Sequence, residues 1–345
     1  MALIYNRIAA VFRRFLFFFV SLAMCFSSFA IPEYREPAFK NSGTGECFLP
    51  DYGKPLVAAH RIGRSIAPEN TLLAVEKNLA LDEPPDILEM DVQITSDSEL
   101  VLYHSLYLDE NSDAAEFFGK KNITVFSKTY EELRQLNMGE KWEQLGKYPY
   151  AGLRGDDIPE DLRLARLEDV LDFVEGESPG AYRYVIEIKY PAPWMPKMVD
   201  GLYKLLSERG MTDRVILSSF WPGFAEYVDL RYSGKLLRSA DPLEVIDFYG
   251  CYKRNTDLSR EKIPYMALII PFYWKDERLL VANFGRTGFI DYAHKYGISV
   301  QYWTVSKTED IILLCKNGAD VIMTNHVQRA YQAIENTVFN QSGGQ

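Results

Sequence analysis

Short apolar segments alternate with amphipathic segments from residue 56 almost to the C-terminus, and this alternation constrains the fold more than any other feature. Short apolar runs predict buried parallel strands, and the amphipathic stretches between them predict helices that lead from one strand to the next. The predicted strands are Leu56–His60, Ile87–Ile94, Leu100–His104, Tyr182–Ile188, Arg214–Ser218, Lys235–Arg238, Ile298–Thr304 and Asp320–Thr324. The predicted helices include Asn70–Leu81, Leu167–Glu175, Pro196–Arg209, Pro222–Tyr232, Thr287–Tyr296 and Glu309–Asn317.

Eight strand–helix units predict an α/β protein with a (β/α)8 TIM barrel, a fold of about 250 residues. A doubly wound open sheet is the structural alternative, because it alternates the same elements. Ser105–Arg166 is longer than a simple connection, and we expect it to be an insertion over the barrel mouth after the third strand. A second long connection, Ser239–Trp274, contains the apolar run Pro264–Phe272, which is a candidate for a further strand.

The first 30 residues have the three-part layout of a secretory signal peptide. Met1–Arg14 carries three arginines and no acid, Phe15–Phe26 is almost wholly apolar, and Ser28-Phe29-Ala30 is a small-x-small cleavage sequence. An uncleaved N-terminal anchor is the alternative, but the apolar run is shorter than the roughly 20 residues of a membrane span. We therefore expect an exported protein, periplasmic or secreted, with no stable membrane span once the signal is removed.

Beyond the signal peptide, we expect a lead-in segment at 31–55, the barrel at 56–335 with its insertion at about 105–166, and a C-terminal tail at 336–345. The lead-in is rich in proline and glycine and has no hydrophobic period. Export would permit a disulfide among Cys47, Cys251 and Cys315, but an odd number of cysteines fixes no pairing.

The net charge of −10 indicates an acidic surface, and removal of the signal peptide would make the charge more negative. Such a surface argues against non-specific binding to nucleic acid or to anionic membranes. Any phosphate chemistry must then depend on local cations or on a metal ion.

Ionisable residues interrupt several predicted strands at or near their C-terminal ends, which is where barrel enzymes hold their active sites. Residues two apart on a strand share a face, so Glu89 and Asp91 should point the same way, as should Glu187 and Lys189. Any one of these residues alone is more often solvated or salt-bridged, but their placement at one end of the same barrel favours a catalytic site. The full set comprises His60, Arg61, Glu89, Asp91, His104, Glu187 and Lys189.

Three of these residues, Glu89, Asp91 and Glu187, are carboxylates that should converge, and burying unpaired carboxylates is costly. Their mutual repulsion would force protonation unless a cation lay among them. We therefore expect one divalent cation at this position. Carboxylate oxygens as ligands favour Ca²⁺ or Mg²⁺ over Zn²⁺.

The two histidines, His60 and His104, suit the two proton transfers of phosphodiester hydrolysis, because imidazole titrates near neutral pH. One would deprotonate the attacking oxygen and the other would protonate the leaving alkoxide. Arg61 and Lys189 would hold the phosphate, the arginine through paired hydrogen bonds and the lysine as a point charge.

Motifs from about Val57 to Thr324 resemble, in the same order, those of the glycerophosphodiester phosphodiesterase family. They are His60-Arg61-Ile62-Gly63 with Pro68-Glu69-Asn70-Thr71, Glu89-Met90-Asp91-Val92, Val101-Leu102-Tyr103-His104, Glu187-Ile188-Lys189, Ser218-Ser219-Phe220, Trp303-Thr304-Val305 and Asp320–Thr324. The resemblance implies a (β/α)8 barrel, with the acid–base, metal and phosphate roles falling on the residues named above. It further implies that Glu69 supports the site, and that Trp303 walls the mouth and contacts the glycerol end of the substrate.

Three positions depart from the family pattern and bear on substrate preference. Ile62 stands where glycine is usual, and we expect its bulk beside the phosphate. Ser105 replaces the usual aspartate after His104, so a partner for that histidine or for the substrate is missing. Thr324 is followed by Asn325 rather than by aspartate.

The resemblance implies metal-dependent hydrolysis of a small-molecule or lipid-derived phosphodiester to an alcohol and glycerol 3-phosphate, with the alcohol left open. A phospholipase D-like enzyme acting on intact lipids is one alternative, which exposed aromatic residues on the insertion would favour. A barrel that only binds a phosphorylated ligand is the other, and retention of both histidines and all three acids argues against it.

Overall fold

The computed structural model describes residues 48–50, 54–190, 193–275 and 281–342. The predicted signal peptide, most of the lead-in segment and Cys47 therefore lie outside the described residues. Within the described part of the chain, no helix combines the length and the apolar character needed to cross a membrane. The two remaining cysteines, Cys251 and Cys315, are free thiols.

Eleven strands are present in the described residues. In chain order they are β1 (Leu56–Ala59), β2 (Ile87–Ile94), β3 (Leu100–Leu102), β4 (Arg183–Ile188), β5 (Val215–Ser218), β6 (Leu237–Arg238), β7 (Ala267–Ile270), β8 (Tyr273–Lys275), β9 (Val281–Asn283), β10 (Ser299–Tyr302) and β11 (Val321–Thr324). Eight of them run parallel in the circular order β1, β2, β4, β5, β6, β7, β10 and β11. The last strand pairs with the first, and a bridge between Ser239 and Ala267 joins β6 to β7. The predicted TIM barrel is thus confirmed, and the open sheet is excluded.

Helices follow the barrel strands as the alternation predicts. They are α1 (Leu72–Leu79), α2 (Ala114–Phe117), α3 (Tyr130–Leu133), α4 (Leu167–Glu177), α5 (Met195–Glu208), α6 (Phe224–Tyr232), α7 (Pro242–Arg254), α8 (Thr287–His294), α9 (Thr308–Asn317) and α10 (Val327–Ser342). Helix α1 begins two residues later than predicted because Asn70 has a left-handed backbone (φ 58°) and Thr71 caps the helix, its Oγ1 accepting from the Ala74 backbone amide at 3.2 Å. Helices α7 and α10 were not predicted, and α10 continues to Ser342 through most of the predicted tail.

Two strands differ from the prediction: β3 was predicted to belong to the barrel and lies outside it, whereas β7 was only a candidate strand and belongs to the barrel. Strand β3 is antiparallel to β2 and lies off the barrel, so the prediction of Leu100–His104 as a barrel strand is wrong. Strand β2 is long enough to pair with β4 over Ile87–Val92 and with β3 over Val92–Ile94. The eighth barrel strand is β7, which lies within the candidate run Pro264–Phe272 and pairs with β10.

Three apolar clusters hold the molecule together. A large cluster fills the space between barrel and helices, and a smaller one fills the barrel interior. The interior cluster includes Phe48, which is fully buried and whose carbonyl accepts from Ser299 Oγ at 3.0 Å. Because Ser299 begins β10, Phe48 closes the amino-terminal end of the barrel. The third cluster gives the insertion its own core, built around Val101, Leu108 and Leu133.

Candidate active site

Three carboxylates meet at the mouth of the barrel, on neighbouring strands β2 and β4. The strand register places Asp91 opposite Glu187, and Glu89 lies two residues earlier on the same face of β2. One oxygen from each carboxylate lies within 4.8 Å of those of the other two. Glu89 and Asp91 are 3% and 1% exposed. The structure therefore brings together the three acids that the sequence predicted to converge.

The negative charge of this cluster is only partly compensated by nearby positive charge. Burial raises the pKa of Glu89 well above its usual range, and repulsion from Asp91 and Glu187 adds to the effect. Burial likewise raises the pKa of Glu187, and Lys189 offsets only part of that rise. Burial would also raise the pKa of Asp91, but Lys189, His104 and Arg61 together hold it below the ordinary value. Three hard oxygen donors that repel one another fit a divalent cation such as Ca²⁺ or Mg²⁺.

Two basic side chains point into the same cluster. Lys189 Nζ donates to Glu187 Oε1 at 2.6 Å and lies 3.2 Å from Asp91 Oδ1. Arg61 Nε lies 3.7 Å from Asp91 Oδ2. Burial would lower the pKa of Lys189, but Glu187 and Asp91 raise it above its usual value, so the lysine stays charged. Both cations are thus held beside the carboxylates, where a phosphate could bridge between them.

Arg61 takes its position from an unusual backbone turn after β1. Arg61, Ile62 and Gly63 all have positive φ angles, of 51°, 58° and 75°. The turn aims the Arg61 backbone amide at Glu89 Oε2, at 2.6 Å. Glycine is required at residue 63, because a Cβ there would lie 2.5 Å from Asn78 Nδ2.

The turn also determines where Ile62 points. Its side chain is fully buried in the cluster between barrel and helices, and its carbonyl accepts from Asn78 Nδ2 at 2.7 Å. The expectation that Ile62 adds bulk beside the phosphate is therefore wrong. The positive φ turns the side chain outwards, away from the mouth.

The two histidines reach the cluster by different routes. His60 directly follows β1, and its Nδ1 donates to Asn325 Oδ1 at 2.8 Å. His104 follows the off-barrel strand β3, and a hydrogen bond from the Tyr103 backbone amide to the Asp91 carbonyl (2.9 Å) holds its segment against β2. His104 therefore lies near the acids as predicted, but it follows a strand outside the barrel rather than a barrel strand.

Burial favours the neutral form of both histidines. Burial, assisted by the charge of Arg61, lowers the pKa of His60 to about 3. Burial lowers the pKa of His104 well below its usual value. Arg61 Nη2 donates to His104 Nε2 at 2.8 Å, whereas His104 Nδ1 has no hydrogen-bond partner within the described residues. Ser105, which follows it, is engaged through its carbonyl by Gln93 Nε2 at 2.8 Å.

Glu69, which the resemblance implies is a supporting residue, lies next to Arg61. It accepts from Arg61 Nη1 at 3.0 Å, pairs with Arg64 at 3.1 Å and accepts from Asn111 of the insertion at 3.3 Å. These contacts connect Arg61 to the insertion.

Two amides at the site were given no role by the sequence analysis. Asn70 Nδ2 donates to Asp91 Oδ2 at 2.9 Å, and Asn325 is the partner of His60. The motif Pro68-Glu69-Asn70-Thr71 contained the first, and the polar residue after the last strand was the signal for the second.

An aromatic rim occupies the mouth on the side of β5 and β10. Trp303 packs against the interior cluster and contacts Phe220 edge-on, with ring centres 5.7 Å apart. Tyr190, which follows Lys189, forms a second edge-on pair with Trp221 at 6.2 Å. All four rings are half-buried. Trp303 was predicted to line the mouth, whereas the other three aromatic residues were not assigned to it.

The remaining histidines lie elsewhere. His294 ends helix α8 and its Nε2 donates to Asp320 Oδ2 at 2.8 Å, near the amino-terminal end of the barrel. His326 lies in the turn after β11, where burial lowers its pKa.

Comparison with known proteins shows the family to which the chain belongs. The sequence model of the Glycerophosphoryl diester phosphodiesterase family matches residues 60–329. A glycerophosphodiester phosphodiesterase from Caldanaerobacter subterraneus subsp. tengcongensis is 29% identical over 272 residues, which cover 79% of this chain and 94% of that protein.

Solved structures show the same fold. A phosphodiesterase from Oleispira antarctica in complex with the product sn-glycerol-3-phosphate has a TM-score of 0.60 at 19% identity, covering 84% of this chain and 99% of the other. A glycerophosphodiester phosphodiesterase from Agrobacterium tumefaciens has a TM-score of 0.57 at 18% identity, with coverages of 81% and 99%. Together with the match to the family's sequence model, this likeness leads to one conclusion: the chain belongs to the glycerophosphoryl diester phosphodiesterase family of (β/α)8-barrel hydrolases.

Proposed function

We propose that this protein hydrolyses glycerophosphodiesters to an alcohol and glycerol 3-phosphate, using one divalent cation, Ca²⁺ or Mg²⁺. The observation that carries the proposal is the convergence of Glu89, Asp91 and Glu187 within 4.8 Å. The basic side chains of Arg61 and Lys189 and the two histidines surround these acids. The relative from Caldanaerobacter and the product bound by the Oleispira protein support the choice of substrate.

Glu89, Asp91 and Glu187 would hold the cation, which when bound offsets negative charge on the phosphoryl oxygens. Arg61 and Lys189 bind and orient the phosphate group, and Glu69 and Asp91 hold the guanidinium in place. These contacts position the phosphorus atom for attack and strengthen as charge develops in the transition state.

His60 and His104 form the acid–base pair. A water oxygen bonds to phosphorus while the bond from phosphorus to the alcohol oxygen breaks. One histidine, in its neutral form, accepts a proton from the water. The other, whose protonated form is favoured by the bound phosphate anion, gives its proton to the departing alkoxide. Each transfer contributes typically about 10²–10⁴-fold to the rate.

The experiment is to incubate the purified protein with Mg²⁺ or Ca²⁺ and glycerophosphocholine, and to measure glycerol 3-phosphate and choline separately. We expect equal amounts of both products. Release of phosphocholine with glycerol, or no hydrolysis of any glycerophosphodiester with either metal ion, would contradict the proposal.

A phospholipase D-like activity on lipids with an acyl chain is the second candidate, and exposed apolar residues on the insertion favour it. Phe117, Leu145 and Tyr148 are 49%, 97% and 53% exposed. Comparing kcat/KM for glycerophosphocholine with that for lysophosphatidylcholine separates the two candidates. Replacing all three residues by serine should reduce only the lipid activity if the second candidate is correct.

We also propose that the protein is exported, which the arrangement of charge, apolar run and cleavage sequence in residues 1–30 supports. The mature N-terminus of the protein, measured by mass spectrometry in separated cell fractions, tests this. Protein that retains Met1 and is found only in the cytoplasmic fraction would contradict it.

A further inference from the structure

Asn325 lies beside His60 because of the way the barrel closes. Strands β1 and β11 pair in parallel, with Ala59 opposite Thr324. The next residues along the two strands, His60 and Asn325, therefore leave the sheet side by side. Their side chains meet in a 2.8 Å hydrogen bond between His60 Nδ1 and Asn325 Oδ1, which is the one bond that this ring makes within the described residues.

This bond determines which ring nitrogen carries the hydrogen. An amide oxygen only accepts, so Nδ1 of His60 is the donor. A neutral imidazole has a single N–H, and its Nε2 is then left with a free lone pair.

His104 differs from His60 at the corresponding atom. A guanidinium group only donates, so the Arg61 Nη2 contact at 2.8 Å occupies the lone pair of His104 Nε2. Of the two histidines, His60 is the one whose Nε2 is not occupied by a donor within the described residues.

We propose that Asn325 is a positioning residue that holds His60 in the Nδ1–H tautomer, and that His60 Nε2 is therefore the base that accepts the proton of the attacking water. The assignment rests on the proposed function and adds to it by distinguishing the two histidines. His104 is then the residue on the side of the leaving group.

The neutral amide has a second consequence. A carboxylate at residue 325 would also accept from Nδ1, but its charge would stabilise the imidazolium form. The charged or titratable groups that face His60 are Arg61, Asp91, Lys189 and His104. An amide adds no charge to this set, so it orients the ring and favours the protonated base less than a carboxylate would.

The tautomer can be observed directly. The chain contains four histidines, so a ¹⁵N-histidine-labelled sample saturated with Mg²⁺ gives few imidazole signals, and those of His60 are identified by their loss in His60→Ala. We expect a protonated Nδ1 and an unprotonated Nε2 for His60, and loss of this preference in Asn325→Ala. A protonated Nε2 in the unsubstituted protein would overturn the proposal. This measurement needs no turnover, so its failure is distinct from failure of the proposed function.

Kinetics supply the second test. Asn325→Ala should lower kcat by about 10-fold to 100-fold with little change in KM, because the base loses its orientation. Asn325→Asp keeps an acceptor and should retain much of kcat, while the acid limb of the kcat/KM profile moves to higher pH. The neighbouring His326→Ala is the matched control and should behave as the unsubstituted protein. A profile for Asn325→Asp that does not move, or a normal kcat for Asn325→Ala, would overturn the proposal.

Discussion

The acidic groups at the two ends of the barrel have different electrostatic surroundings. At the mouth, Glu89 and Glu187 lie close to Asp91, and burial together with repulsion raises their pKa values. At the other end, Asp320 and Asp86 each accept two hydrogen bonds on one oxygen. Asp320 Oδ2 accepts from the Val300 amide at 2.6 Å and from His294 at 2.8 Å.

Asp86, also at the amino-terminal end, shows the same arrangement. Its Oδ2 accepts from the Val57 amide at 2.8 Å and from Tyr331 at 3.0 Å. Hydrogen bonds of this kind stabilise the fold, whereas the acids at the mouth repel one another without enough compensating charge and are arranged for a ligand. The contrast predicts that substitutions at the mouth mainly change activity, and that substitutions at the closed end mainly change stability.

Among the substitutions, the largest expected effect concerns the acid–base pair at the mouth. His60→Ala and His104→Ala should each lower kcat by about 10²-fold or more, because each removes one proton transfer. Thermal unfolding should show little loss of stability. His326→Ala, a histidine removal in the neighbouring turn, is the control. If His326→Ala were as damaging as His104→Ala, the contrast between these residues would fail.

At the closed end, Phe48→Ala should destabilise the protein by about 3 kcal/mol, the cost of emptying a buried aromatic site. Its side chain lies inside the barrel, away from the cluster of acids, so kcat should stay within about twofold at temperatures where the protein is folded. Chemical denaturation and steady-state kinetics measure the two quantities. A large fall in kcat without loss of stability would show that activity does not depend on the mouth alone.

Glu89→Gln tests the repulsion at the mouth in metal-free protein. The pKa of Glu89 is raised in the folded state, so its carboxyl group favours folding below about pH 4.3, the unfolded value, and opposes folding as pH rises through the folded pKa. The variant should therefore be more stable than the unsubstituted protein at pH 8, and this advantage should vanish near pH 4. Denaturation at both pH values measures it. If Glu89→Gln instead destabilised the metal-free protein at pH 8, the negative charge of the three acids would already be well compensated by the protein.

The smallest effect concerns His294, whose hydrogen bond to Asp320 raises its pKa. A raised histidine pKa stabilises the fold fully below about pH 6.5, the unfolded value, and the contribution is lost as pH rises through the folded pKa. His294→Ala should therefore cost about 1 kcal/mol or less at pH 6 and still less at pH 9, because this pair is partly exposed. Activity should be unchanged. A loss of stability that grows with pH would contradict this account.

The barrel and the charged residues of the site could be predicted because both leave strong patterns. Charged side chains inside apolar strands, such as Glu89 and Glu187, are unusual enough to be noticed, and the strand period fixes their direction. Strand β7 was only a candidate, because Ala267–Ile270 is short and follows a long connection.

Other features depend on information that the sequence does not carry. Ile62 was placed beside the phosphate because a positive φ is not visible in an isoleucine, although its neighbour Gly63 indicates a turn. The contacts of Asn70 and Asn325 were not predicted, although both residues were named, because uncharged amides in loops are common and usually solvated. Their roles depend on the pairing of strands that are distant in the sequence.

The central claim is that the three acids at the mouth bind a cation on which hydrolysis depends. It is tested most directly by titrating Mg²⁺ or Ca²⁺ into exhaustively chelated protein, while bound metal and the rate of glycerophosphocholine hydrolysis are measured on the same samples. We expect chelation to lower the rate by about 10³-fold or more, and activity to return in proportion to one bound ion per chain. Full activity in protein shown by elemental analysis to be free of metal would contradict the account.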